Sequence, residues 1–382
     1  MRWLDLLLVV WSLTALGWWG FALLLLSRAG RSPLAGTGDP AADVTVFKPL
    51  PPVTDEVARD QIGLAIGSFV DQLDQRCTVL IGMSPDAVET WRPFTETWVR
   101  RTGPGRVRTL ILETPRQRAN PKIAWLEQMT AHAESGIWLW SDADVVAPPG
   151  LLSRLHAELS SGEARAVTCA YCVREMSCAA HALDALFVNL EFLPGALLLG
   201  RSRTLDFAFG AAIIFRAAEF RARVTWADLG RELADDHALG RRMAPVALSA
   251  MLVETVPTTA SMTDALKHYY RWQKTVRWCR PLGFAALLLI LPLAGWIVRL
   301  LTGPTPCLAG AALATVWLAE FGVALAAFRI LDCPLRGRAW LTLLFWPVLR
   351  LLAWLAVWLP LPVEWRGADP VWRNRLKTDP SS

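Results

Sequence analysis

Long apolar runs stand at both ends of this chain and are missing from its middle. Residues 6–26 carry no charge, and at about 1.5 Å per residue they can cross roughly 30 Å of hydrocarbon. We expect an N-terminal membrane anchor and, near the other end, further spans. The last apolar stretch should be re-entrant or interfacial, because Pro347 and Arg350 interrupt it. The C-terminal stretches are residues 281–298, 307–328 and 339–361.

Between residues 43 and 254, short apolar runs alternate with helical patterns such as residues 123–133 and 151–159. This alternation is typical of an α/β domain with a mostly parallel sheet covered on both faces. Such sheets bind ligands at the carboxyl ends of their strands. No Gly-rich dinucleotide loop or P-loop is present. The predicted strands are residues 44–47, 77–83, 107–112, 137–141, 166–171 and 211–215.

Residues 263–280, just before the first C-terminal span, are predicted to form an amphipathic helix. One of its faces carries apolar and aromatic residues and another carries basic ones. Such a helix beside a span is expected to lie in the membrane interface. The expected organisation is therefore an anchor (1–28), an α/β domain (43–262), an interfacial helix (263–280), C-terminal membrane helices (281–361) and a basic tail (362–382).

Composition supports an integral membrane protein. Hydrophobic residues make up 53% of the 382 and charged residues 19%, against about 25% charged in average globular chains. The 20 tryptophans suit membrane interfaces. Disordered, collagen-like and disulfide-stapled classes are excluded. The seven irregularly spaced cysteines predict reduced thiols, since Cys169, Cys172 and Cys178 lack the fourth ligand that zinc needs.

Charge indicates orientation rather than a nucleic-acid partner. The net charge is only +5, without a long basic run in the middle of the chain. Arg28 and Arg31 follow the first apolar run, whereas Asp5 offsets Arg2 before it. The positive-inside rule then places the α/β domain on the cytoplasmic face of the membrane. The positive charge of the C-terminal tail favours the cytoplasmic side for the tail as well. Simple alternation of the predicted spans would instead place the tail on the opposite side, so the number of spans stays open. The oligomeric state stays open as well.

Two acidic motifs are the candidate chemistry of the α/β domain. Asp142 and Asp144 come directly after a predicted strand, where two carboxylates can reach a divalent cation and its phosphate oxygens. They could equally be solvated turn residues. Asp235 and Asp236 begin a helical pattern. They could be a favourable helix start, or Asp236 could be a base whose pKa its neighbour raises.

In order and spacing, these pieces resemble the ceramide glucosyltransferase family of membrane-bound inverting glycosyltransferases with the GT-A (Rossmann-like) fold. The resemblance covers nearly the whole chain. It rests on Lys-Pro-Leu at residues 48–50, Asn-Pro-Lys-Ile at 120–123, the two acidic motifs, and Trp-Arg-Gly at 365–367. His268, Arg271 and Trp272 occupy the place of the family's Gln-x-x-Arg-Trp signature, with His in place of Gln.

The resemblance implies transfer of one sugar from a UDP-sugar, with UDP-glucose as the first expectation, to the hydroxyl of a membrane lipid, ceramide first. Asp236 would be the catalytic base beside Asp235, and Mg²⁺ or Mn²⁺ would bind Asp142 and Asp144. The expected nucleotide-sugar contacts are Lys48, Asp86, Asn120 and Lys122; the expected diphosphate or acceptor contacts are His268, Arg271 and Trp272. One departure is Ser84, which stands where the family has an acidic residue, with Asp86 two positions later.

Three alternatives remain at this point. A sister branch transfers N-acetylglucosamine onto hopanoid lipids, and residues 191–194 and 277–281 resemble it. A processive polysaccharide synthase would share the acidic motifs but would need more spans. The third alternative is a non-catalytic lipid-binding relative. Ser84, in place of the acidic residue, favours this alternative, whereas the presence of Asp142, Asp144 and Asp236 argues against it.

Overall fold

The structure is a computed structural model that describes residues 2–29, 43–51, 53, 55–73, 76–113, 120–201, 204–232, 234–259, 261–361 and 363. The predicted basic tail, the Trp-Arg-Gly motif and Arg31 lie outside these residues. Contacts divide the described chain into two compact units. The α/β unit comprises residues 43–172 and 196–258, and the helical unit comprises residues 2–29, 173–195 and 259–361.

The α/β unit contains one eight-stranded sheet. Along the sheet the order is β3-β2-β1-β4-β7-β6-β8-β5. All six strands expected from the sequence are confirmed, within one or two residues at their ends. The strands are β1 Val44–Pro49, β2 Cys77–Met83, β3 Val107–Ile111, β4 Ile137–Ser141, β5 Val145–Val146, β6 Ala166–Cys172, β7 Ala212–Arg216 and β8 Val246–Thr255.

The sheet is mixed rather than mostly parallel, which corrects the sequence-based expectation. Strands β1, β2, β3 and β4 run parallel to one another, and β6 runs parallel to β8. Strand β7 lies antiparallel between β4 and β6, and β5 pairs antiparallel with β8. The carboxyl ends of β1, β2 and β4 therefore meet at one edge, where Phe47 lies opposite Trp140 and Lys48 comes next to Ser141.

The helices expected at residues 123–133, 151–159 and 263–280 are confirmed, with shifted ends. The helices are α1 Arg2–Ala29, α2 Glu56–Val70, α3 Val88–Thr102, α4 Pro121–Thr130, α5 Leu151–Ser161, α6 Ala179–Leu186, α7 Leu193–Leu199, α8 Ala217–Arg223, α9 Trp226–Leu229, α10 Asp235–Met243, α11 Met262–Cys279, α12 Pro281–Ala286, α13 Pro292–Thr302, α14 Pro306–Ile330 and α15 Ala339–Ala356. A π-helical turn, Phe187–Phe192, joins α6 to α7, and a 3₁₀ turn, Leu287–Ile290, follows α12.

Four described helical segments are long and apolar enough to cross a membrane: Trp3–Ala29, Ala179–Leu199, Pro306–Ile330 and Ala339–Ala356. The sequence reading assigned the second of these to the α/β domain. Contacts place its residues 179–195 in the helical unit, and 67% of its most apolar window is buried. It therefore packs largely as a core helix of that unit.

The interrupted span is the first C-terminal one and not the last. Pro281–Ile290 and Pro292–Thr302 meet at an angle of 56°. Proline at position 292 has no N–H, and Leu291 leaves the helical region at φ −117° and ψ 51°. Helix α15 continues through Pro347. Neither Pro347 nor Arg350 therefore breaks this helix, and the expected re-entrant or interfacial placement of residues 339–361 stays a prediction.

Candidate active site

Hydrogen bonds from Lys48 fix the turn that carries Asp142. The Lys48 Nζ donates to Ser141 Oγ at 2.9 Å and to the Asp142 carbonyl at 2.8 Å. Ser141 Oγ in turn donates to the Ala211 carbonyl at 2.7 Å, which ties the end of β4 to the start of β7. The side chains thereby fix the backbone of the acidic turn at the edge of the sheet.

Lys48 is fully buried. Burial lowers the pKa of its ammonium to about 7, against the opposing charges of Asp144 and Asp142. Its Nζ also lies 3.6 Å from the centroid of the Phe69 ring. In this conformation Lys48 positions the turn, and its contact with a nucleotide stays a prediction.

The Asn-Pro-Lys-Ile motif begins α4, and its residue types explain why. Asn120 is the N-cap, and its Oδ1 accepts from the Ile123 N–H at 3.3 Å. Pro121 fills the first helical position, where no N–H is needed. Asn120 Nδ2 also donates to Asp235 Oδ1 at 3.4 Å. The cap therefore connects the first turn of α4 to that of α10.

Lys122 brings the two acidic motifs together. Its Nζ lies 2.7 Å from Asp142 Oδ1 and 3.2 Å from Asp235 Oδ2. Burial disfavours the lysine's charge, but Asp142 and Asp235 outweigh it and raise the pKa of Lys122. The ammonium offsets repulsion among carboxylates that would otherwise resist such close packing.

Asp236 lies in the first turn of α10 with both oxygens bonded to backbone. Oδ2 accepts from the Gly210 N–H and Oδ1 from the His237 N–H, each at 2.8 Å. Burial and the charge of Asp235 raise the pKa of Asp236 to about 6, while Lys122 and the two N–H groups act in the opposite direction. A carboxylate with a pKa in this range is suited to general base catalysis near neutral pH.

Two glycines allow this closeness. A Cβ at residue 210 would lie 3.2 Å from Asp236 Oδ2 and 3.3 Å from Asp142 Oδ2, so the backbone there separates the two carboxylates. On α10, a Cβ at Gly240 would lie 2.1 Å from the Ala208 nitrogen and 2.2 Å from the Phe207 carbonyl carbon. Helix α10 can therefore approach segment 207–210 only because residue 240 lacks a side chain.

Asp86, the expected substitute for the missing acidic residue, lies in the short 3₁₀ helix Pro85–Ala87 after β2. It is exposed, and Ser84 precedes it as the N-cap without a side-chain capping bond. This turn is at the same sheet edge as the Asp142 turn because β1, β2 and β4 are parallel. A nucleotide contact from Asp86 stays a prediction.

The three signature residues lie on α11 in the helical unit. His268 Nδ1 lies within hydrogen-bond distance of Asp184 Oδ1, at 3.1 Å. Trp272 packs edge-on against Phe187 at 5.1 Å between ring centroids. Arg271 is half-buried. Lys274, a basic residue of the same helix, is buried, and its Nζ donates to the Val357 and Leu359 carbonyls at 3.1 and 3.0 Å.

The chain matches the family model described as Glycosyl transferase family 21 over residues 97–374. The protein belongs to glycosyl transferase family 21. That family includes ceramide glucosyltransferases, so the resemblance seen in the sequence is confirmed at the level of the family. The chain is a glycosyltransferase by this membership. No curated protein matches this chain.

Two solved structures are similar to this family 21 chain. S. aureus TarS, residues 1–349 in complex with UDP-GlcNAc, is 12% identical over 73% of each chain, with a TM-score of 0.35. A mycobacterial protein is 16% identical over 66% of this chain and 82% of its own, with a TM-score of 0.36.

Asp142 and Asp144 are the expected metal ligands, and each has a carboxylate that could bind a divalent ion. Within the described chain, no cluster of three or more His, Cys, Asp or Glu side chains could hold a metal ion. Lys122 already occupies Asp142 Oδ1. Mg²⁺ usually takes only one or two protein carboxylates and completes its shell with substrate phosphates and water. The donor set therefore fits an ion that arrives with a diphosphate.

Sequence reasoning missed four positions that shape these sites: Ser141, Asp184, Gly210 and Gly240. None of the four belongs to a motif that could be recognised from the sequence alone. Gly240 could have been noticed as a glycine inside a helical pattern, which costs stability unless close packing requires it.

Proposed function

We propose that this family 21 glycosyltransferase transfers one sugar from a UDP-sugar to the hydroxyl of a membrane lipid, with inversion at the sugar. UDP-glucose and ceramide are the leading donor and acceptor. One observation carries the proposal: the carboxylates of Asp142, Asp235 and Asp236, from two motifs about ninety residues apart, gather around Lys122 and Gly210 at one edge of the sheet.

In this reaction Asp236 takes the proton of the acceptor hydroxyl while that oxygen attacks the sugar. Its two backbone donors, Gly210 and His237, keep the carboxylate in one orientation. Asp235 is bonded to Asn120 and Lys122 and so holds the start of α10 in place. Asp236 is therefore the base and Asp235 the positioning residue.

Asp142 and Asp144 would hold Mg²⁺ or Mn²⁺ together with the donor's diphosphate. When bound, the ion supplies charge stabilisation for the departing nucleoside diphosphate. Lys48 fixes the backbone of the Asp142 turn through its bond to the Asp142 carbonyl, and Lys122 adds a positive charge beside the Asp142 carboxylate. These residues orient the donor side of the reaction.

The apolar helices support a lipid acceptor. The chain has four described helices that could span a membrane, or up to five if the bent pair counts as one span. We place the α/β unit on the cytoplasmic face, because Arg28 follows the uncharged run of residues 6–26. A GT-A domain at the bilayer surface could bind an acceptor lipid whose hydroxyl lies in the headgroup region.

A transfer assay on the purified full chain tests the proposal. Labelled UDP-glucose and UDP-N-acetylglucosamine are offered with ceramide and with a ribosylated hopanoid, with and without EDTA. An EDTA-sensitive glucosylceramide product supports the leading pair, and a hopanoid product moves the chain to the sister branch. A polymer would support a processive synthase. Sugar transfer to none of these lipids contradicts the proposed acceptors.

Asp236→Asn tests the base. We expect kcat to fall by about 10²–10⁴-fold, because asparagine keeps the shape but takes no proton. Asp60→Asn, on the exposed surface of α2, is the matched control and should retain activity. Normal expression and thermal unfolding of both variants exclude misfolding. Near-normal turnover in Asp236→Asn would overturn the base assignment.

A further inference from the structure

One face of α11 packs against α6 and the π-helical turn that follows α6. His268 and Trp272 are four residues apart on α11 and therefore lie on the same face of that helix. Their rings meet edge to face, with centroids 5.7 Å apart. Trp272 in turn packs edge-on against Phe187 at 5.1 Å and against Phe192 at 6.0 Å. Two of the three signature residues are thus held by a segment that is distant in sequence.

Asp184, on α6, supplies a polar contact to the same face of α11. Its side chain is only 9% exposed, and both of its carboxylate oxygens have a partner. Oδ1 lies 3.1 Å from His268 Nδ1, and Oδ2 accepts from the Thr259 hydroxyl at 2.8 Å. A carboxylate that is engaged at both oxygens and carried by a helix has little freedom to rotate. It therefore fixes the side from which the His268 ring is held.

A carboxylate is a costly residue type at this position. The neighbours Leu183, Ala185 and Leu186 on α6 are apolar and buried, and burial disfavours a charged group unless its hydrogen bonds compensate. Apolar residues in place of a buried ion pair are often as stable or more stable. A buried carboxylate that contacts one nitrogen of an imidazole is a common way to fix the orientation of the ring. These features favour a role of Asp184 in orientation over a role in stability.

His268 is the side chain that this carboxylate orients. Its ring is 33% exposed, so part of it remains accessible to a ligand. The two nitrogens of an imidazole lie on different edges of the ring, so the contact of Nδ1 with Asp184 directs Nε2 away from that carboxylate. The glutamine of the family signature offers an amide with donors and an acceptor. A ring held at Nδ1 offers Nε2 instead, in a direction that Asp184 determines.

We propose that Asp184 is a positioning residue for sugar transfer: it orients the His268 ring so that Nε2 meets an oxygen of the donor's diphosphate or of the acceptor's hydroxyl. The proposal rests on the proposed function and on the expected contact of the signature with one of these two groups. Asp184 acts through His268 and touches neither substrate. Thr259 engages the second oxygen of Asp184 and takes no part in the contact.

Chemical modification of His268 tests the contact without any sugar transfer. The purified full chain is treated with diethyl pyrocarbonate, which acylates accessible, unprotonated imidazole nitrogens, alone and with UDP, ceramide or a ribosylated hopanoid. Mass spectrometry measures the labelling of each histidine. At ten times its Kd, the ligand that contacts His268 should slow its labelling about tenfold, whereas the exposed His132 should label equally throughout. Protection by UDP assigns the contact to the diphosphate, and protection by a lipid assigns it to the hydroxyl.

Variants at the two partners of the carboxylate separate orientation from structure. Asp184→Ala leaves His268 Nδ1 without its partner, so the ring can turn and the protection should be lost. Thr259→Val is the matched control, because it removes the other bond of the same carboxylate and keeps the contact with His268. Its protection should equal that of the wild type. Asp184→Val is a second variant, closer in volume to aspartate, with the same expected loss. Thermal unfolding of each variant confirms that it is folded.

Steady-state kinetics test whether Asp184 acts through His268. Asp184→Ala should lower kcat/KM about tenfold, with a higher KM for the substrate that protects His268 and an unchanged KM for the other. In a His268→Ala background the same change should alter kcat/KM by less than about twofold, because no ring is left to orient. A residue that only stabilises the fold would give the same loss in both backgrounds.

Three results would overturn the proposal: no protection of His268 by any of the compounds, equal effects of Asp184→Ala and Thr259→Val, or additive losses in the double variant. Failure of the proposed function gives a different result. A wild type that transfers no sugar, although UDP or a lipid protects His268 in an Asp184-dependent manner, would contradict the proposed reaction and leave the orientation of His268 by Asp184 supported.

Discussion

The charges of three aspartates in the α/β unit raise the pKa of Lys122 against the effect of its burial. The positive charge of Lys122 in turn lowers the pKa of Asp236. Burial and Asp235 raise that pKa to about 6. Because the base must be ionised, kcat/KM should fall about tenfold per pH unit well below pH 6. A pH–rate profile of the wild type between pH 4.5 and about 8 checks this expectation.

Lys122→Gln should move the acidic limb of that profile to higher pH. Removing the ammonium removes the favourable interaction that helps Asp236 ionise, so its pKa rises further. Lys122→Arg keeps the charge and is the matched control, with a limb close to that of the wild type. A limb that stays in place in Lys122→Gln would show that another group limits the rate at low pH.

Metal binding should require the nucleotide. Asp142 has one oxygen engaged by Lys122, and the described residues offer no third carboxylate, histidine or cysteine for an ion. We expect Mn²⁺ titrated into the protein alone to bind weakly and to bind at least about tenfold more tightly with saturating UDP. Calorimetry measures both. Asp144→Asn should lose the UDP-dependent gain, whereas tight binding without UDP would contradict the proposed donor set.

At the scale of elements, α10 and segment 207–210 depend on one glycine. Gly240→Ala would place a methyl group about 2.1 Å from the Ala208 nitrogen, so the helix must move and Asp236 with it. We expect lower kcat together with a loss of about 1–3 kcal/mol in unfolding free energy. Gly136→Ala, where a Cβ meets nothing within 4 Å, should change neither quantity. Full activity of Gly240→Ala would show that α10 shifts without effect on the site.

The same elements show how far the sequence alone leads. Strands such as β1 and β4 were predictable because they are continuous buried runs. Strand β8 was missed because Ala, Leu and Met, which favour helices, make up much of Val246–Thr255. The antiparallel direction of β7 could not be predicted, because a run of apolar residues looks the same whichever way the strand runs in the sheet. The N-cap Asn120 could be read from its motif, but its bond to Asp235 depends on folding.

In the candidate site, the sequence identified both acidic motifs but kept them separate. Their meeting depends on Lys122, whose two partners lie 20 and 113 residues away in sequence. Lys48 was assigned to the nucleotide from its motif, while the structure shows it buried beneath the Asp142 turn. Both differences arise from tertiary contacts, which local periodicity cannot encode.

At the scale of the whole molecule, α1 is part of the helical unit's core as well as an apolar segment. Ser12 Oγ accepts from Trp296 Nε1 at 2.9 Å, and Asp5 Oδ1 accepts from Arg299 Nε at 2.5 Å. Trp19 is fully buried against Trp346, with ring centroids 5.4 Å apart. Buried positions recur every three or four residues along one face, which is the spacing of a packed helix.

This packing distinguishes a core helix from a replaceable anchor. Changing Asp5, Ser12 and Trp19 together to leucine makes α1 more apolar, so an anchor would insert at least as well. We expect instead a marked loss of monodisperse protein after detergent extraction and a lower Tm, because Arg299 loses its carboxylate and Trp346 its ring partner.

The matched control exchanges Leu4, Leu7 and Leu13 for isoleucine, since these side chains are 53–64% exposed and keep similar hydrophobicity. Its yield and Tm should equal those of the wild type. If the leucine-substituted chain matched this control in both measurements, α1 would be an anchor only, and the partly buried Asp5–Arg299 pair would contribute nothing to the unit. The leucine-substituted chain is the more apolar of the two, so a lower yield and Tm in that chain would report lost packing and not weaker membrane insertion.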